Sequence, residues 1–399
     1  MDFTLNASQE RAKGIAKEMA QDFAKRAQEH DRDRTLPMEN FKQLKEAGFY
    51  GLVIPEDLGG MGLGMVGWVA VAEEIAQGDA STALAFNMHI NGTGGIAQRP
   101  AIPQDRKEKM AELALAGHLL CTMVSEPTSS SLLPATYIPM VQADKVSGGY
   151  RLYGKKWFAS MFEASDYGYL YVHPKDHPNP GQAMAVMVPT HQDQISVTDI
   201  WDTLGMRATR SNQVDFNGAF VPDELVLYQT DDFIGSFLVE ESNYSFGGYT
   251  SCYLGLGLGM INWAKEYLSE RTAKGYAQPM GYHPDISHRI GLLATEIEAA
   301  RLMVYKAAWN HDTYGPSLKT FEQFLRAKLA VGNALQELAS GLAVACGLHS
   351  LFKNQPLERM IRDAATAPIM PPNSDACASM IGLIAMGLDP SQAPTIKFA

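Results

Sequence analysis

The stretch that decides the fold is Arg359-Met-Ile-Arg-Asp363, which is followed by Ala-Ala-Thr-Ala-Pro-Ile-Met-Pro371-Pro-Asn-Ser. Its charged residues lie in a segment, about 354–366, that carries the 3.6-residue periodicity of a helix. The residues after Asp363 include no acidic side chain until Asp375. The first part is therefore the reference point for the architecture, whereas the second part lacks a side chain suited to general-base chemistry.

The composition is that of an acidic, enzyme-sized globular protein. The chain has 399 residues, of which 46% are apolar and 19% charged, which predicts two or three packed units. The net charge of −11 argues against a nucleic-acid partner. No uninterrupted apolar run reaches the ~18 residues of a membrane span, and the N-terminus has no secretion signal.

The four cysteines, Cys121, Cys252, Cys346 and Cys377, lie far apart and show no paired spacing. This pattern predicts reduced, mostly buried thiols rather than disulfides or a metal site. Together with the charge and the N-terminus, it predicts a cytoplasmic protein without a metal, a membrane or a nucleic-acid partner.

Two helical regions flank a β-rich region. Apolar residues recur at helical spacing over 8–31, where Asn6 or Ser8 would cap the helix. Short alternating runs such as 167–172 and 183–188 predict antiparallel strands that end near Leu227. Further helices are expected near 38–48, 65–78, 103–117, 240–272, 285–312, 319–347 and 354–366. The expected domains are 1–117 (helical), 118–231 (β) and 232–399 (helical).

Several local motifs, in this order, resemble those of the acyl-CoA dehydrogenase superfamily. They are Pro55-Glu56 with Gly59-Gly-Met-Gly62, Ser125-Glu-Pro127, Gly154-Lys-Lys-Trp-Phe-Ala-Ser160, Leu204-Gly-Met-Arg207, Tyr267-Leu-Ser-Glu-Arg271 and Pro356–Asp363. The resemblance implies an α+β multidomain fold. An N-terminal helical domain would precede a central antiparallel β-barrel or sandwich domain and a C-terminal four-helix bundle.

The resemblance also implies a flavin, FAD or alternatively FMN or reduced flavin, between the β domain and the C-terminal helices. A flavin needs an aromatic wall and a few fixed hydrogen-bonding groups. The matching positions are Thr122, Val124, Ser125, Trp157, Phe158, Ser160, Arg271 and Gly347. Arg271 would reach the FAD phosphates across a subunit interface, so the resemblance implies a homo-oligomer, a tetramer or a dimer.

The chain departs from the family at the residues that act on the substrate. Alignment on Arg362-Asp363 places the usual catalytic glutamate at Pro371, and the second family location of this base falls at Ser245. Phe246 occupies a position that is often arginine. The pantetheine-contacting serine falls in Ser130-Ser131-Leu132. Substrate contacts are accordingly expected from Ser131, Phe246 and Met370.

Two activities remain open. The first is FAD-dependent α,β-desaturation of an acyl thioester or a related small substrate, with hydride transfer to flavin N5. The acyl group would be part of a small molecule or linked to a carrier. This activity requires a displaced base, for which Glu241, one turn before Ser245, and Asp375 are candidates. The second is C- or N-hydroxylation by a reduced-flavin-dependent monooxygenase, which needs O₂ and no such base. A catalytically inactive binding homologue is the third alternative.

Three further residues have two interpretations each. His89 is either an active-site residue or a core histidine with satisfied hydrogen bonds. Ser245 offers a hydroxyl to either activity. Asp375 is a base candidate or a residue of a helix start capped by Asn373 or Ser374. Electrons would leave through an electron-transfer partner or to O₂.

Overall fold

The computed structural model describes residues 3–127, 139–175, 177–179, 182–231 and 243–388. Five helices come first: α1 Ala7–Asp33, α2 Met38–Glu46, α3 Gly64–Gly78, α4 Ala80–Gln98 and α5 Gln104–Leu115. Eight strands follow: β1 Leu120–Met123, β2 Gln142–Val146, β3 Gly149–Ala159, β4 Tyr167–Pro174, β5 Ala183–Pro189, β6 Ile195–Thr198, β7 Asn212–Pro222 and β8 Val226–Thr230. A π-helical turn, Asn243–Gly247, then leads into α6 Gly248–Glu270, α7 Pro284–Tyr314, α8 Leu318–Cys346, α9 Pro356–Ala364 and α10 Ser374–Ala385.

The helices begin where local chemistry favours a helix start. Asn6 caps α1 in a capping box, because its side chain accepts from Gln9 N while the Gln9 side chain accepts from Asn6 N. The side chain of Asn373 accepts from Ala376 N at 2.8 Å and caps α10. Both capping residues were among those expected from the sequence.

The strands form one mixed sheet in the order β6-β7-β3-β2-β4-β5-β8, and β1 pairs with β4. Most neighbouring strands are antiparallel, as the sequence pattern predicts. Two pairings are parallel: β1 with β4, and the short contact of β2 with β4. The residue pattern of a single strand carries no information on these two pairings, because the direction of the neighbouring strand depends on the chain connection and not on the strand's own residues.

The C-terminal helices form a bundle in which α6, α7 and α8 pack on one another and α10 packs on α8. α3 packs on α6 through glycines. A methyl group at Gly255 would lie 2.7 Å from Glu73 O, and one at Gly259 would lie 2.9 Å from Gln77 Cα. These glycines therefore allow close helix packing and do not form a dinucleotide-binding loop.

α8 is the one helix in the described part of the chain that is long and apolar enough to cross a membrane by length and composition alone. Half of its most apolar window is buried inside the protein. Leu335 and Leu338 of this helix are fully buried in the core, as expected of the central helix of a bundle. All four cysteines are free and buried.

The Arg359–Asp363 motif joins all three parts of the chain. Asp363 accepts a 2.6 Å hydrogen bond from Met206 N, in the loop before β7. Arg362 pairs with Asp31 of α1 at 2.6 Å. Arg359 is buried and lies 3.4 Å from Asp363. Burial raises the pKa of Asp363 to about 6, and the Arg359 charge opposes that rise. The motif is therefore a buried junction between domains.

Candidate active site

The aromatic side chain of Phe158 is presented at the end of β3. The register between β3 and β7 shifts after Lys156, and Phe158 has a left-handed backbone with φ of 58°. Its ring is 49% exposed and contacts Trp201 edge-on at 5.7 Å. A positive φ at a bulky residue is strained and is kept where the surrounding structure demands it. The exposed ring is suited to pack on one face of a planar group.

Beside this ring lies a buried row of hydroxyl groups. Ser160 Oγ is 2.7 Å from Ser211 Oγ, which is 2.7 Å from Thr209 Oγ1. Thr209 Oγ1 donates to Met206 O at 2.8 Å. Ser160 is 5% exposed, so its hydroxyl provides a fixed polar contact at the edge of a largely apolar surface.

The Ser125-Glu-Pro127 segment is held next to β3. Trp157 N donates to Ser125 O at 3.0 Å, and Trp157 Nε1 donates to Gln213. Glu126 forms a buried ion pair with Lys156 at 2.6 Å, where burial lowers the pKa of Lys156 and Glu126 opposes that change. Glu126 is therefore a structural residue, and its ion pair positions Ser125 beside the β3 residues.

Thr122 and Val124 lie on β1 and immediately after it. Thr122 Oγ1 donates to Met88 O of α4 at 2.7 Å, so this hydroxyl already has an internal acceptor. Val124 is half-buried. Thr122 and Val124 thus belong to the same sheet region as β3, and their contact with a flavin ring stays a prediction.

Each of the five residues of the π-helical turn is buried. Single π-helical turns are frequent at functional sites. Phe246 packs against Phe321 of α8 at 5.9 Å. Ser245 is 3% exposed, but a serine hydroxyl has no pKa near neutrality, so it cannot replace a carboxylate as a base.

The π-helical turn and the segment after α9 both border α8. A methyl group at Gly247 of the turn would lie 2.5 Å from the ring of Phe324 of α8. One turn later on α8, Lys328 Nζ donates to Ala367 O at 2.8 Å, and burial lowers the pKa of Lys328 to about 8. Met370 is half-buried and packs against the core, and Pro371 carries no ionisable group.

His89 is corrected from a catalytic candidate to a core residue. Its Nε2 is 2.8 Å from Tyr50 O, and its Nδ1 accepts from Leu120 N at 3.1 Å. The side chain is fully buried, and burial lowers its pKa to about 4. Both ring nitrogens are occupied by backbone partners, so neither can exchange a proton with a substrate.

Asp375 is also corrected. It is exposed in the first turn of α10, whose N-terminus Asn373 caps. A carboxylate at this position is favoured by the helix dipole, and its solvent exposure does not favour proton abstraction in a closed site. Glu241 and Ser131 lie outside the described residues.

The residues expected at the cofactor tail lie at the other end of α6. Arg271 follows this 23-residue helix, so it lies about 35 Å along the helix axis from the π-helical turn. Arg271 Nη2 is 3.4 Å from His349 Nδ1, two residues beyond Gly347. The structure thus places Arg271 and Gly347 in one region, at the end of α6 opposite the π-helical turn.

Asn91 of α4 is a candidate that the sequence analysis missed. It is fully buried, and neither amide atom has a hydrogen-bond partner within the described residues. One turn earlier, Asn87 lies against Gly248, where a methyl group would come within 1.9 Å of Asn87 Oδ1. The next residue, Gly92, faces Thr122. By helical spacing, Asn91 therefore points between the π-helical turn and β1.

Signals for the missed residues are weak in the sequence. Asn87 and Asn91 are four residues apart in the sequence, so in a helix they would lie on the same face. Ser211 reaches Ser160 only because β3 and β7 pair there, with Ala159 opposite Asn212. Among the described residues, no group of three or more His, Cys, Asp or Glu side chains is placed to hold a metal ion.

This arrangement of three parts, with an aromatic wall and buried hydroxyls at their junction, is that of a flavin-dependent oxidoreductase. Family models for the N-terminal, middle and C-terminal domains of acyl-CoA dehydrogenase match residues 6–114, 121–219 and 250–382. The chain belongs to the acyl-CoA dehydrogenase family.

Named relatives include both dehydrogenases and a monooxygenase. The chain is 26% identical over 367 residues to glutaryl-CoA dehydrogenase of Desulfococcus multivorans, covering 91% of this chain and 92% of that protein. Its fold is similar to butyryl-CoA dehydrogenase of Megasphaera elsdenii, with a TM-score of 0.87, 21% identity and coverage of 97% and 100%. It is also similar to TdsC of Paenibacillus sp. A11-2 with FMN and indole, with a TM-score of 0.85, 21% identity and coverage of 94% and 97%.

Proposed function

We propose that this enzyme oxidises an acyl thioester or a related small substrate with FAD, or alternatively FMN, as its cofactor. Phe158 would pack on the flavin ring, and Ser125 and Ser160 would contact its polar edge. A bound flavin supplies a ring nitrogen that accepts a hydride. The exposed Phe158 ring next to the buried Ser160 hydroxyl is the observation that supports this proposal most strongly.

The substrate would bind between the π-helical turn and β1. Phe246 would supply apolar surface there, and Asn91 supplies an amide that lacks a partner within the described chain, while Met370, packed against the other core cluster, stays a proposed substrate contact. A buried amide costs free energy unless a ligand or water satisfies it. The site therefore favours a substrate with a hydrogen-bonding group over an unbroken hydrocarbon chain.

Desaturation of a thioester would also need a base. We propose Glu241 for this role, because it is the acidic residue nearest to Ser245 in the sequence, four residues before it. Glu241→Gln should then abolish turnover while flavin binding is retained, and Glu240→Gln is the matched control. Equal activity of both variants would exclude Glu241 as the base.

A specific observation favours a second candidate, reduced-flavin-dependent hydroxylation. Neither family position of the base carries a carboxylate, since these positions hold Ser245 and Pro371. His89 has no free ring nitrogen, and Asp375 is exposed. Oxygenation by reduced flavin would not require a residue that removes an α-proton.

Anaerobic mixing separates the two candidates. Butyryl-CoA, glutaryl-CoA and indole would each be mixed with the oxidised holoenzyme without O₂. Loss of the oxidised-flavin absorbance with a thioester is expected for the first candidate. A requirement for external reductant and O₂, with no anaerobic bleaching, would contradict it and support the second.

We also propose that a second copy of the chain completes the FAD site. Arg271 lies about 35 Å along α6 from the π-helical turn, which borders the proposed substrate site, so a neighbouring subunit could supply the tail contacts. Near Arg271, Leu348 is 74% exposed and Val344 is 66% exposed. Light scattering of the holoenzyme should give a dimer or tetramer, and a monomer that binds FAD stoichiometrically would contradict this arrangement.

A further inference from the structure

The hydrogen bonds of the hydroxyl row formed by Ser160, Ser211 and Thr209 all run in one direction. Ser160, Ser211 and Thr209 contribute three hydroxyl protons, and the row contains three oxygen–oxygen contacts between 2.7 and 2.8 Å that end at Met206 O. Two oxygen atoms at this distance require a proton between them, because otherwise their lone pairs repel. The number of protons therefore equals the number of contacts.

Met206 O determines where each proton lies. A carbonyl oxygen can only accept, so the contact with Thr209 uses the Thr209 proton. Ser211 must then donate to Thr209, and Ser160 must donate to Ser211. All three hydroxyl protons are committed, and Ser160 has only lone pairs left for a ligand.

The end of the row is rigid. Trp201 Nε1 also donates to Met206 O at 2.8 Å, so both lone pairs of this carbonyl are used. Asp363 accepts from Met206 N at 2.6 Å. Ser160 and Ser211 are 5% and 3% exposed, and Thr209 is fully buried. The buried junction at Asp363 therefore fixes the carbonyl that sets the direction of the row.

We infer that this row makes Ser160 an obligate hydrogen-bond acceptor that selects the reduced flavin, through the N–H that only the reduced ring carries at N5. Oxidised N5 has a lone pair and no proton, so it would face the Ser160 lone pairs without a hydrogen bond. This inference rests on the proposed function, in which Ser160 contacts the edge of the flavin ring, and it adds that the ring atom facing Ser160 is N5. Ser211 and Thr209 act here as positioning residues.

The test compares flavin affinities in two oxidation states. Dissociation constants for oxidised FAD and for chemically reduced FAD are measured without O₂ in the wild type, Ser211→Ala and Thr209→Val. Either substitution removes an acceptor from the row and frees the Ser160 proton to point toward the ligand. We expect the preference for reduced over oxidised FAD to fall about tenfold, which lowers the two-electron potential of bound flavin by about 30 mV.

Ser165→Ala is the matched control. Ser165 is 1% exposed and donates to Met161 O at 2.9 Å, but it is not part of the row. This variant should keep the wild-type ratio and potential. Ser160→Ala removes the acceptor itself, so it should also lose the preference, and it decides the question if Ser211→Ala does not fold.

The outcomes separate this inference from the function on which it rests. If FAD binds but the ratio is the same in the wild type and in the folded row variants, the inference is wrong and the proposed function stands. The same holds if the variants favour reduced FAD more strongly. If the wild type binds no flavin in either state, both fail.

Discussion

The Arg359–Asp363 junction and the substrate side of the site differ in how their polar groups are paired, although Arg359 Nε of the junction also has no partner within the described chain. At the junction, Asp363 bonds Met206 N, and Arg362 pairs with Asp31. On the substrate side, the buried amide of Asn91 has no partner in the described chain. Ser245 and Pro371 occupy the two positions at which family members carry the glutamate that acts as the catalytic base. The motifs that reveal the family therefore describe the scaffold, whereas the reaction depends on positions that the motifs do not cover.

Removing the central carboxylate of the junction should give the largest effect. Asp363→Ala would leave the buried Arg359 charge and Met206 N without this partner, which should cost about 3–5 kcal/mol in the free energy of unfolding. Denaturant titration measures this loss. Asp375→Ala is the control, because an exposed first-turn carboxylate contributes about 0.5 kcal/mol. Equal losses in both variants would contradict the contrast between the two regions.

The next largest effect should be the contribution of His89 to the pH dependence of the free energy of unfolding. Its pKa falls from 6.5 to about 4 in the folded state because it is buried. The folded protein therefore binds fewer protons than the unfolded chain between these values. Stability that is present above pH 6.5 is lost as the pH falls toward 4, by about 3 kcal/mol in total.

His89→Gln should remove that part of the pH dependence. Unfolding free energies measured from pH 7 to pH 4 should fall less steeply in the variant than in the wild type. The flavin spectrum should stay unchanged, because His89 packs in the core behind β1. Identical slopes for the two proteins would show that His89 is not the buried neutral group described above.

Arg271 tests the separation between the ring and tail contacts. Arg271→Gln should weaken FAD binding about tenfold through the loss of a charge-assisted hydrogen bond to phosphate. FMN keeps the riboflavin-side phosphate but lacks the AMP half, so its affinity should not change if Arg271 binds the phosphate of the AMP half. Arg32→Gln, at an exposed ion pair of α1, is the control. An equal loss for both cofactors, measured by flavin fluorescence, would mean that Arg271 does not contact the AMP half of FAD.

Asn91 should give the smallest change in stability. Asn91→Leu removes two buried polar atoms that have no partner in the described structure, so the flavin-loaded variant should be as stable as the wild type or about 1 kcal/mol more stable. Asn40→Leu is the comparison, since Asn40 Nδ2 donates to Thr82 at 2.8 Å and should lose stability. A clear loss of stability in Asn91→Leu would indicate permanently bound water rather than a ligand-binding amide.

Much of the architecture can be predicted from the sequence, because local signals determine many of the helices. The cap at Asn6 and the periodicity of α1, α7 and α8 are local signals, and the structure confirms them. α4 was missed because nearly every residue is buried, so it has no polar face to produce an amphipathic pattern. The parallel pairings of β1 and β2 with β4 depend on residues distant in the chain.

The site was readable only in part. Local motifs located Ser125, Phe158 and Ser160 near one another. The role of His89 was not readable, because its partners are backbone atoms of Tyr50 and Leu120 that only the fold brings together.

The account as a whole depends on a flavin ring held by Phe158 and Ser160. The most direct measurement is equilibrium titration of the purified full-length protein with FAD and FMN, each in the oxidised and the reduced state. The expected result is one bound flavin per chain with a perturbed absorbance spectrum in at least one of the four titrations. A protein that binds neither cofactor in either oxidation state would contradict the account.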